Sequence, residues 1–139
     1  MQSQYFGILS CSGEEYPGGT VSRIASLTVM QKFLPLETTT ICVPLFLTGE
    51  QQELDFVKKY PCITIDGCSK RCVARSLENL NIKPLKEFLV PDFFSKEEHE
   101  QIVNGHLHDL KWKDHPLCKK LAEAIASVVN EELDKLDNK

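Results

Sequence analysis

Apolar positions along the chain switch between a period of two and a period near 3.6. Tyr5-Phe6-Gly7-Ile8-Leu9-Ser10 reads as a first strand, and from Val21 the residues Ile24, Ala25, Leu27, Met30 and Leu34 recur at helical spacing. Thr20 is the expected N-cap of that helix and Pro35 its stop. Residues 38–43 are rich in β-branched side chains, and Pro44 disfavours their continuation as a central strand. Leu45-Phe46-Leu47 fits neither period. Residues 51–60 read as a helix with Leu54 and Val57 inward, closed by Pro61. Ile63-Thr64-Ile65 then forms a buried-type strand, Gly67 a turn, and Val73, Ala74, Leu77 and Leu80 the inner face of a helix for which Asn81 is the stop. Residues 87–90 give a fourth short strand before Pro91.

Strand and helix alternate in this way through residues 5–90, which implies parallel strands joined by right-handed crossovers. The expected fold class is α/β: a three-layer, mostly parallel sheet of about four strands with helices on both faces, followed by a helical C-terminal extension. Ser95-Lys96-Glu97-Glu98 has the form of a capping box and opens a helix with Ile102, Val103 and Leu107 inward. A last helix starts near Asp114, with Pro116 at an early position and Leu117, Leu121, Ile125, Val128 and Leu133 at helical spacing. The chain is expected to be one domain, with an α/β core over residues 1–94 and the extension over 95–139.

Size and charge narrow the function. The 139 residues, 42% of them hydrophobic, are enough for one core without disulfide staples. A net charge of -4 and the lack of a basic stripe exclude general nucleic-acid binding, which needs a cationic face for phosphates. No run approaches the ~18 apolar residues of a membrane span, and Met1-Gln2-Ser3-Gln4-Tyr5 lacks the basic start of a signal peptide. A cytoplasmic location is therefore expected, without nucleic-acid or membrane partners. In that compartment the six cysteines are better read as metal ligands, reactive thiols or core residues than as three disulfides. The tail carries seven lysines against ten acidic residues, a balance of -3, and its polar face is a solvated surface.

Four of the thiols fall at strand exits. Cys11 follows the first strand, Cys42 lies near the end of the second, and Cys68 and Cys72 follow the third. If the strand order is 2-1-3-4, all four converge outside the carboxyl ends of the strands, where open α/β sheets place their sites. Cys68 and Cys72, four residues apart, would share one helical face with about 5 to 6 Å between their Cβ atoms, close enough for one metal ion or one disulfide to join them. Cys62 begins the strand that Cys68 terminates, and at about 3.3 Å per residue it lies roughly 20 Å away, outside the site. Cys118 is a packing residue. Lys70 and Arg71 would favour thiolate over thiol, and Asp66 can accept amide hydrogen bonds that orient Cys68. His99, His106, His108 and His115 are read as surface residues, with His115 and Cys118 too sparse a pair for a finger. Gly18-Gly19-Thr20 can present amides to a phosphate, yet neither nucleotide-binding glycine fingerprint is present.

Cys11-Ser12-Gly13, Cys42 and Ile65-Asp66-Gly67-Cys68, followed four positions on by Cys72, resemble the pattern of the DGC-domain family, small proteins with an implied zinc site. The resemblance covers roughly residues 5–93. It departs from the family pattern at Ser69, where members often carry proline, and at Val43-Pro44, where they have a glycine soon after the cysteine. The resemblance implies metal binding by Cys11, Cys42, Cys68 and Cys72 and no particular reaction. The expected function is binding of a metal ion, zinc, by strand-end cysteines. The same four thiols also suit an iron-sulfur cluster or a thiol-dependent redox or sulfur-transfer enzyme, and the ligand types do not separate these.

Overall fold

The computed structural model describes residues 5–11, 16–105 and 112–138. Four parallel strands, β1 (Phe6–Ser10), β2 (Thr38–Thr39), β3 (Cys62–Asp66) and β4 (Lys86–Leu89), form one sheet in the order β2-β1-β3-β4. This is the order on which convergence of the thiols depends. Every residue of the central strand β3 is buried, as covered parallel sheets require.

Side chains alternate across the sheet and so divide the core in two. Phe6, Ile8, Ile63 and Ile65 face α1 (Pro17–Thr28), α6 (Lys96–Asn104) and α7 (Pro116–Asp137). Leu9 and Cys62 face α2 (Val43–Leu47), α3 (Gln51–Lys59) and α4 (Cys72–Glu78). A short α5 (Val90–Phe93) links β4 to α6. The chain leaves β1 on one face and β3 on the other, so the two exits diverge and open a crevice at the carboxyl edge.

Several boundaries differ from the sequence pattern. The first helix starts at Pro17 rather than after Thr20, because proline already has the φ of a first helical turn. Thr20 instead accepts a hydrogen bond from Arg23 Nη2 at 3.2 Å. Beyond Thr28 the helix widens into a π segment, Val29–Phe33, in which Leu34 N–H donates to the Val29 carbonyl at 2.8 Å. The second strand spans two residues, not six. Pro44 acts within the first turn of α2, and the untyped apolar run is that helix, burying Phe46 while Leu45 and Leu47 stay exposed. Asn81 does end its helix: it takes φ 60, and Ile82 N–H reaches back to the Leu77 carbonyl at 3.0 Å.

The C-terminal part packs into the same core. Ser95 Oγ accepts Glu98 N–H at 3.2 Å and Glu98 Oε1 accepts Ser95 N–H at 3.0 Å, completing the expected box. Ile102 is buried, whereas Val103 is exposed, and Leu107 lies outside the described residues. The last helix starts near Asp114 as expected, with His115 as its cap, the Nδ1 accepting Leu117 N–H at 3.1 Å. Leu117, Leu121, Ile125 and Val129 of α7 lie in one cluster with Phe6 and Ile8 of β1. Among the described residues no helix is long and apolar enough to cross a membrane.

Candidate metal centre

Cys11 follows β1 directly, and its N–H donates to the Ile65 carbonyl at 2.8 Å, which carries the β1–β3 ladder one residue past the strand. It is half-buried, as is Cys68. Cys42 is the N-cap of α2 and Cys72 the first residue of α4, and both are exposed. With parallel strands in the order β2-β1-β3, these four positions lie along one edge in the order Cys42, Cys11, then Cys68 and Cys72. Ser12 and Gly13 lie outside the described residues.

The two other thiols are chemically set apart. Cys62 pairs with Gly7 at the opposite edge, and Cys118 is buried in α7. Burial pushes both thiols up to about 12, so neither supplies a thiolate near neutral pH. None of the six cysteines, all of them described residues, is in a disulfide.

The loop between β3 and α4 is fixed at both ends. Upstream, Gly67 lies against the first turn of α1: a Cβ on it would sit 2.4 Å from Gly19 N, and one on Gly18 would sit 2.2 Å from the Gly67 carbonyl oxygen. These glycines exist for a backbone-to-backbone approach that no side chain permits. That contact, not an anion, accounts for Gly18. Downstream, the buried Asp66 carboxylate accepts Val73 N–H at 3.0 Å and Ala74 N–H at 3.2 Å, capping α4 from across the loop. Burial shifts its pKa upward, against those two amides.

α4 begins at Cys72, so Cys68 stands in the preceding turn and the two thiols do not share a helical face as the spacing suggests. The cause is Arg71, whose left-handed backbone (φ 55, ψ 41) breaks the helix, while its N–H donates to the Cys68 carbonyl at 3.3 Å. Its guanidinium turns to β4. Nε and Nη2 grip the two oxygens of Glu87, the second at 2.8 Å, and Nη2 also meets Glu78 Oε1 at 2.6 Å. Arg71 holds the Glu87 carboxyl below its usual range, and its own positive charge is shared with two carboxylates. Lys70 is exposed beside it.

By donor chemistry the four edge thiols fit zinc, which takes thiolate ligands in a tetrahedron. In geometry they share an edge and not yet a point: among the described residues no three His, Cys, Asp or Glu side chains are close enough to hold one metal ion. Among the described residues no histidine completes a site with them. His115 stacks on Trp112 with ring centroids 3.9 Å apart and caps α7, and burial lowers its pKa. His106 and His108 lie outside the described residues.

The family model of the DGC domain matches residues 7–113. The chain belongs to the DGC-domain family. In this DGC domain Asp66 of the tripeptide caps α4 and Gly67 admits the first turn of α1, and Cys68 follows them half-buried. The match runs past Ser95 and takes in α6, about twenty residues beyond the extent suggested by the cysteine pattern, consistent with Ile102 and Trp112 sharing the core of β1. Neither a curated protein nor a solved structure matches the chain.

The sequence pattern did not point to Glu87 or to the Gly18–Gly67 contact. Both partners of each pair are far apart along the chain, and only the strand order brings them together. Gly18 was legible only as part of the Gly18-Gly19-Thr20 run before the expected helix, and its place in the first turn of α1 comes from the earlier start at Pro17.

Proposed function

We propose that this DGC domain binds one zinc ion through Cys11, Cys42, Cys68 and Cys72. What carries the reading is the division of the six thiols: these four are accessible along one sheet edge, and the two elsewhere are buried with raised pKa. Binding requires Cys11 and Cys42 to close on the loop that bears Cys68 and Cys72, and the ion then joins three strand exits across the crevice. A redox or sulfur-transfer role and an iron-sulfur centre use the same thiols, so metal content separates the readings.

Elemental analysis of protein purified anaerobically tests this. The expected result is one zinc per chain, lost in Cys11→Ser and in Cys72→Ser and retained in Cys62→Ser and Cys118→Ser. Iron with sulfide would replace zinc by a cluster, and a metal-free protein with a reducible disulfide among the edge cysteines would turn the assignment to thiol chemistry.

A further inference from the structure

Arg71 is the residue that decides where Cys68 and Cys72 stand relative to each other. Its N–H closes the turn onto the Cys68 carbonyl, and its φ of 55 sends the chain into α4 at Cys72. A residue with a Cβ holds that left-handed conformation only where its surroundings impose it. The glycine contact fixes the loop before Cys68 and the Asp66 cap fixes it after Cys72, but neither grips Arg71 itself. The grip comes from the neighbouring strand: Glu87, opposite Thr64 in the β3–β4 register, takes two guanidinium nitrogens on its two oxygens. A fork of this kind fixes orientation as well as distance. Glu78 is the weaker holder, with one contact and 47% side-chain exposure against 26% for Glu87.

We propose that Glu87 is a positioning residue for the thiol loop: by clamping Arg71 in its left-handed conformation from β4, it sets the spacing and direction of Cys68 and Cys72 for the metal. The inference rests on the reading of these thiols as ligands. It adds a residue that no cysteine pattern contains and makes the edge strand part of the site.

The test compares Glu87→Gln, Arg71→Lys and Glu78→Gln by two measurements: peptide-level amide hydrogen exchange of the metal-free protein, and cobalt(II) titration. Glu87→Gln should speed exchange in residues 68–73 and leave α7 unchanged. It should also weaken cobalt binding by about tenfold or more, the usual effect of losing a contact that orients a ligand. Arg71→Lys keeps the charge but loses the fork, so it should act in the same direction, and it carries the test if Glu87→Gln does not fold. Glu78→Gln should do much less in both measurements. Unchanged exchange in residues 68–73 in both clamp variants would overturn the proposal, as would equal acceleration throughout α7, which would mean plain global destabilisation. If the wild-type protein takes up no cobalt, the metal reading fails, and the exchange data still decide whether the clamp orders the loop.

Discussion

Gly67 leaves no room for even one methyl group, since the nearest atoms to a Cβ there belong to the backbone of Gly18 and Gly19 and cannot rotate away. Gly67→Ala should therefore destabilise the domain by about 1–3 kcal/mol or more, as other insertions into well-packed sites do. Urea denaturation of the metal-free protein would show it, and a neutral effect would mean that α1 and the thiol loop are not in contact. Part of this was legible in the sequence. The glycine turn, the thiols after it and an acceptor role for Asp66 all follow from an apolar run that stops at Asp66-Gly67-Cys68. The identity of the donors, Val73 and Ala74, and the Arg71 turn that separates Cys68 from the helix do not. A left-handed arginine has no propensity signature, because it is imposed by Glu87 from another strand.

Among the elements, those with their own start and stop chemistry were the most readable. The Ser95–Glu98 box, the Asn81 stop and the β3 strand stand where local residues place them. Residues 38–43 show the opposite case. Their β-branched composition favours a long strand, yet only Thr38 and Thr39 pair with β1, and Pro44 starts a helix instead of merely ending a strand. Tertiary context outweighs β-propensity at a sheet edge, where one neighbour is missing. The last helix was legible as an apolar stripe, but its partner was not. Its residues Leu121 and Ile125 are fully buried in the cluster that contains Phe6 and Ile8, so α7 covers the sheet's first helix and is structural. Leu121→Ala should cost about 2–5 kcal/mol in urea denaturation, the range for a large core residue. A cost below about 1 kcal/mol, typical of surface substitutions, would instead make α7 a detachable extension.

At the scale of the whole molecule, one topological fact organises the site. Parallel strands in the order β2-β1-β3 put three exits side by side, and the change of face between β1 and β3 opens the crevice where Cys11 and Cys68 emerge. Helical covering of both faces and parallel pairing were readable from the alternation of periods, whereas the strand order entered only as the condition under which the thiols converge, and the structure supplies it. The distances between the thiols were not, because they depend on the conformation of the segments after β2 and β3 and not on any spacing along the chain. In the proposed centre the four thiols surround a single ion with sulfur on every side. X-ray absorption at the zinc edge of the purified protein tests this most directly. Four sulfur neighbours at about 2.3 Å, with no nitrogen or oxygen ligand, are predicted. Three or fewer sulfurs, with nitrogen or oxygen completing the coordination, would contradict the four-thiolate centre.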